Sequence, residues 1–150
     1  MKKTINEMIV KLKANSVNER FARAMVASFC VQAEPSLDEI TDIKTAVSEA
    51  VTNCVVHAYP KGSGWIEIAA KLFEDKIEIV ISDTGVGIKD ITKALEPFYT
   101  TKPLEERSGM GFTVMESFMD EMEVSENQGC GLKVKLVKNF EKKSKIAVGE

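Results

Sequence analysis

Glu49, Asn53 and His57 follow one another at four-residue intervals, a spacing that in an α-helix lines side chains along one stripe. A carboxylate and an amide so arranged can serve one site. The carboxylate takes a proton or orients a nucleophile, and the amide oxygen is a hard ligand suited to Mg²⁺. The same stripe also describes an ordinary solvated face. His57 is the only histidine and falls near the end of the helical pattern, where it reads as a packed or capping residue. With no second histidine as acceptor, autophosphorylation of the histidine-kinase type is not expected.

Two glycine segments supply what the helix lacks. Residues 82–88, Ser-Asp-Thr-Gly-Val-Gly-Ile, follow the strand-like run 76–81, and residues 107–113, Arg-Ser-Gly-Met-Gly-Phe-Thr, open a run with Phe112, Met115, Met119 and Met122 at helical spacing. A strand ending in glycines and a helix beginning with them both expose backbone N–H groups, and a helix N-terminus adds partial positive charge suited to phosphate. Gly-x-Gly occurs four times, and the outer pairs, Gly62/Gly64 and Gly129/Gly131, look like plain turns. The inner pairs differ in their flanks, an Asp after a buried strand and an Arg before a helix. Neither is a P-loop, and neither completes Gly-x-Gly-x-x-Gly, because Asp90 and Val114 hold the third position. Between them the aperiodic polar segment 98–108 reads as a lid carrying Thr100, Thr101, Lys102 and Arg107. Hydroxyls and cations there suit phosphoryl transfer, which relies on positioning and charge neutralisation, though an exposed polar loop has the same composition.

The elements that must position these groups are legible in outline. Residues 6–13 alternate, with Met8, Val10 and Leu12 on one side, and predict an edge strand. Ser16 with Glu19 predicts a capping box, followed by a helix with Phe21, Ala24, Met25, Ser28 and Phe29 on one face until Pro35. Ser36 with Glu39 repeats the signature before the clearest helix, whose stripe is Ile40, Ile43, Val47, Ala50, Val51, Cys54, Val55 and Ala58. Alternating 66–72 and 77–81, reversed at 74–76, predict a β-hairpin, and 91–95 a short helix. A helix from Gly111 to about Asp120, a strand over 121–126, a turn at 128–131 and a strand over 132–136 complete the pattern. A charged tail is expected from about residue 139. The fold expected is α+β, a two-layer sandwich whose mostly antiparallel, mixed sheet is covered on one face by helices, in one domain over 1–150.

Composition narrows the function. The chain has 150 residues, 44% of them hydrophobic, enough for one core. A net charge of −3 with both signs interspersed gives no electrostatic case for direct nucleic-acid or membrane binding, and 142–145, Lys-Lys-Ser-Lys, is too short to change that. No run approaches membrane-spanning length, and Cys30, Cys54 and Cys130 read as reduced thiols without metal spacing, so a cytoplasmic location is expected.

Together the segments resemble the GHKL (Bergerat-fold) ATPase and kinase superfamily: 48–53, Ser-Glu-Ala-Val-Thr-Asn, its N box, 83–87 its first glycine box and 109–111 its second. Three boxes in order within about 65 residues are far more specific than any one. The same stretches, with 57–59, 98–103 and 106–112, resemble the sporulation anti-sigma kinases of spore-forming bacteria over residues 4 to about 138. The general-stress sigma B type ranks second because the lid fits it less well. Ala58, where the family commonly has Gly, is a minor departure.

The resemblance implies ATP and Mg²⁺ as cofactors. Glu49 would be the catalytic base toward a substrate serine, Asn53 the Mg²⁺ ligand and Asp83 the acceptor for the adenine amino group. Gly85, Gly87 and Ile88 would lie along the base, while Thr100, Thr101, Lys102, Ser108, Gly109, Met110, Gly111 and Thr113 would hold the phosphates with catalytic Arg107. Arg23 matches a partner-contacting position. By the same resemblance the protein is a homodimer that captures sigma factor F in the ATP state and phosphorylates a serine of an anti-anti-sigma partner. An ATP-gated sigma-binding module without turnover is the alternative.

Overall fold

A computed structural model describes residues 3–59, 63–88, 91, 95–96 and 111–141. Its strands are β1 (Asn6–Lys13), β2 (Trp65–Leu72), β3 (Lys76–Asp83), β4 (Glu121–Glu126) and β5 (Leu132–Asn139), and its helices α1 (Val17–Cys30), α2 (Leu37–Asn53) and α3 (Gly111–Phe118). A 3₁₀ turn at Val31–Ala33 follows α1, and a π turn at Cys54–Ala58 prolongs α2.

The strands form one sheet in the order β1-β2-β3-β5-β4, and all of these pairs are antiparallel, so the expected mixed character resolves to none parallel among the described residues. Register carries the alternation across the sheet. Met8 faces Ala70, Ala70 faces Ile79, Ile79 faces Leu136 and Leu136 faces Met122, so one face is a continuous apolar surface. Ile66, Ile68, Leu72, Ile77, Ile79 and Leu136 on that face are wholly buried beneath the helices. α2 lies between α1 and α3 in the helical layer, with Ile43, Ala46, Val47, Ala50 and Val51 turned inward.

The two capping expectations part company. At Ser36 the box is complete: its hydroxyl accepts from the Glu39 N–H at 3.1 Å, and the Glu39 carboxylate accepts from the Ser36 N–H at 2.7 Å. At Ser16 there is none, because that residue is already in the helical region and its side chain caps nothing. The Asn15 side chain accepts from the Asn18 N–H at 3.0 Å instead, and Glu19 turns to α2, accepting from the Ser48 hydroxyl and pairing with Arg23 at 3.5 Å. The buried line of α1 is correspondingly Ala22, Val26 and Cys30, with Met25 and Phe29 partly buried beside it and Phe21 51% exposed.

Two further expectations shift, and a third lies largely outside the described residues. α3 ends at Phe118, and Met122 belongs to β4, from which it still packs against the core. Residues 138–141 are not a loose tail: Lys138 pairs with Asp42 at 2.8 Å, the Phe140 N–H donates to the Asp75 carbonyl at 2.7 Å, and the Glu141 N–H donates to the Glu39 carboxylate at 2.8 Å. The expected short helix at 91–95 is described only at its ends, where the Leu95 N–H donates to the Ile91 carbonyl at 3.1 Å.

Candidate nucleotide site

Asp83 is the anomaly from which the site is built. It continues the Ile77, Ile79, Ile81 alternation onto the helix-covered face, where another apolar residue would be expected, and is 4% exposed. A carboxylate so deeply buried requires hydrogen bonds. Its Oδ1 accepts from the Gly85 N–H at 3.0 Å and the Leu132 N–H at 3.2 Å. Its Oδ2 faces the Cys54 thiol at 3.5 Å, a weak donor. One oxygen is thus fixed by backbone and the other retains strong acceptor capacity. Burial and the adjacent Asp83 charge push the Cys54 thiol well above its ordinary range, so it remains a protonated donor.

The segment after Asp83 is pressed onto the end of α2. The Val86 N–H donates to the Ala58 carbonyl at 2.9 Å, and a Cβ on Gly85 would lie 2.1 Å from that oxygen. Only glycine admits the approach. The π turn creates it by carrying the chain past Asn53 in wider coils, a local geometry frequent at functional sites. It also corrects the expectation of a single stripe: Glu49 and Asn53 remain one helical turn apart on α2, both half-buried, whereas His57 lies within the π turn, where α spacing no longer applies.

Tyr59 closes the rear of this corner. Its hydroxyl donates to the Trp65 carbonyl at 2.6 Å and accepts from the Thr84 N–H at 3.0 Å, and its ring occupies the space of a Cβ on Gly64. The β4–β5 turn closes the side. Asn127 donates through Nδ2 to the Asp83 carbonyl at 2.8 Å, and a Cβ on Gly131 would lie 2.1 Å from the same oxygen. Gly64 and Gly131, expected to be plain turn residues, are close-approach positions. Neither they nor Asn127 or Cys54 carried a local signal of a role here; the hints available were the repeated Gly-x-Gly at 129–131 and, for Tyr59, the resemblance of 57–59.

Of the predicted site residues, Asp83 and Gly85 meet at this corner, and Asn53 immediately precedes Cys54, whose thiol faces Asp83. Glu49 stands one turn back on α2, and Gly87 and Ile88 follow directly along the segment. Gly111 is buried at the start of α3 and Thr113 half-buried in its first turn, on the helix that packs against α2. Arg23 is separate, on α1, its side chain 41% exposed and paired with Glu19. Thr100, Thr101, Lys102, Arg107, Ser108, Gly109 and Met110 lie outside the described residues.

The model of the histidine kinase-like ATPase domain matches residues 12–138. The chain belongs to the histidine kinase-like ATPase family. Within it, two anti-sigma F factors are close in sequence. That of Caldanaerobacter subterraneus subsp. tengcongensis is 52% identical over 133 residues, 89% of this chain and 93% of the relative. That of Clostridium beijerinckii is 51% identical over 136 residues, 90% and 95% respectively. The chain is therefore of the anti-sigma factor branch of the histidine kinase-like ATPases. Solved structures agree on the fold. The RsbU and RsbW domains of a Mycobacterium tuberculosis protein superpose with TM-score 0.64 at 20% identity, over 90% of this chain and 32% of that one. The catalytic domain of the histidine kinase ThkA superposes with TM-score 0.55 at 15% identity, over 89% and 97%. Among the described residues no helix is long and apolar enough to cross a membrane.

Proposed function

We propose that this chain is an ATP- and Mg²⁺-dependent protein-serine kinase that is also an anti-sigma factor. It captures sporulation sigma factor F in the ATP state and phosphorylates a serine of an anti-anti-sigma partner, acting as a cytoplasmic homodimer. The observation that carries the reading is Asp83: a buried carboxylate with one oxygen locked by two backbone N–H groups and the other left to accept a purine amino group. Identity of about half with anti-sigma F factors over nine-tenths of the chain favours the sigma F type over the general-stress type.

The donor set fits the ligand. Gly85 and Gly87 present backbone rather than bulk after Asp83, Ile88 follows them with its side chain packed against the core, and the α3 N-terminus at Gly111 and Thr113 offers N–H groups and a hydroxyl to phosphate. Thr100, Thr101, Lys102, Ser108, Gly109 and Met110 extend that cradle. Asn53 holds Mg²⁺ through its amide oxygen. The bound nucleotide supplies the phosphoryl group to be transferred. Glu49 takes the proton from the acceptor serine hydroxyl, Arg107 neutralises charge that grows during transfer, and Arg23 meets the partner from α1.

The test is incubation with γ-labelled ATP, Mg²⁺ and a cognate anti-anti-sigma protein, following label on serine. Transfer is expected for the wild type and a loss of at least about a hundred-fold for Glu49→Ala. Label transfer undiminished in Glu49→Ala would overturn the assignment of the base. ATP-dependent sigma capture without any transfer would leave a gated binding module in place of a kinase.

A further inference from the structure

We propose that Asn127, in the β4–β5 turn, is a positioning residue for base recognition: it sets the orientation of the Asp83 carboxylate and thereby the preference for a 6-amino over a 6-oxo purine. This rests on the reading of Asp83 as the adenine acceptor and adds to it a residue from a different part of the chain.

The turn grips both the main chain and the side chain of Asp83. Asn127 donates from Nδ2 to the Asp83 carbonyl at 2.8 Å, and the Leu132 N–H donates to Oδ1 of the same residue at 3.2 Å. Asn127 also organises the turn that delivers Leu132, its N–H donating to the Gly131 carbonyl at 3.2 Å and its carbonyl accepting from the Cys130 N–H at 3.0 Å. Cys130 adds a contact of its thiol with the Thr84 carbonyl at 2.9 Å. The peptide plane after Asp83 and the carboxylate torsion are therefore both held from across the sheet by residues 127–132. Of the turn's bonds to Asp83 itself, that of Asn127 comes from a side chain, whose chemistry can be changed without altering backbone. Removing its donor frees the Asp83 carbonyl to turn, and Oδ2, which faces only the weak Cys54 thiol donor, turns with it. A hydrogen bond to an exocyclic amine is sensitive to that direction, while the phosphate cradle lies elsewhere.

The experiment is calorimetric titration of the wild type, Asn127→Ala and Asn127→Asp with ATP and with inosine triphosphate in the presence of Mg²⁺. Asn127→Asp keeps the shape but replaces the donor with a negative charge, which acts on both nucleotides alike, so the ratio between them carries the test if Asn127→Ala does not fold. The wild type is expected to prefer ATP. In Asn127→Ala ATP binding weakens about ten-fold and inosine triphosphate binding hardly at all, and in both variants the ratio between the two collapses. A merely structural role would weaken both nucleotides alike and leave the ratio intact, and that result, or no change in either, overturns the role of Asn127. A wild type without preference for ATP would instead strike at the adenine reading of Asp83 itself.

Discussion

Gly85→Ala puts the closest contact of the candidate site to the test. The added Cβ would lie 2.1 Å from the Ala58 carbonyl oxygen, 2.6 Å from its carbon and 2.8 Å from the Ala58 Cβ. None of these is the far end of a flexible side chain, so no rotamer change relieves the clash, and the two backbones must part by about 1 Å. Parting them breaks the 2.9 Å hydrogen bond from Val86 to Ala58. Overpacking of this kind costs about 1–3 kcal/mol and the lost bond about 1 kcal/mol. For a domain of this size the sum lowers Tm by roughly 5–15 °C. Because the segment that moves also carries the N–H bonded to Asp83, ATP affinity should fall with it. Thermal unfolding followed by circular dichroism and calorimetric titration with ATP read the two effects. If Gly85→Ala melts within about 2 °C of the wild type and binds ATP within about two-fold, the close approach does not exist in solution and the reasoning fails.

Two other outcomes are expected. Burial works to raise the Glu39 carboxyl, but the Ser36 N–H, the Glu141 N–H, the Ser36 hydroxyl and Lys138 outweigh it and hold the group below its ordinary value of 4.5. Its stabilising effect is therefore full above that value and lost as pH falls through the folded-state value, so Glu39→Gln should narrow the difference in Tm between neutral and acidic buffer; an unchanged difference would refute this. Burial pushes the Cys30 thiol up to about 11 and Cys54 well above its ordinary range, while Cys130 is exposed, so Ellman's reagent at mildly alkaline pH should find one fast thiol in the native protein and three in denaturant. A second fast thiol in the native protein would contradict the burial.

How much of this was legible depended on the range of the interaction responsible. β1, the β2–β3 hairpin and the Ser36 cap were evident because alternation and the Ser-x-x-Glu box are complete within a few residues. The Ser16 box has the same four-residue pattern and fails because Glu19 has a better use across the helix pair, with Ser48 29 positions later, which no local window contains. The π turn was invisible for a related reason: Cys54 and Ala58 are buried in either winding, so apolar spacing does not distinguish them. Asp83 stood out as a charge at the end of an apolar strand. The residues that make a charge tolerable there, Leu132 and Asn127, come from more than 40 positions later, at sequence separations of 49 and 44.

That long-range closure explains why the site sits at this corner of the sheet. β3 is the central strand, flanked by β2 and β5, and both neighbours begin at the end where Asp83 emerges, β5 directly out of its turn from β4. The β2 side delivers Trp65 to Tyr59, the β5 side delivers Leu132 to Asp83, and α2 ends above them both at Cys54. A carboxylate at either edge strand would be solvated and adaptable; at the end of the central strand it is desolvated and held from three directions. The hydrogen bonds that hold one of its oxygens are the same ones that make its burial tolerable, so rigidity and acceptor strength arise together. An acceptor fixed before its ligand arrives loses little freedom on binding, which is the physical basis for selecting one purine edge over another.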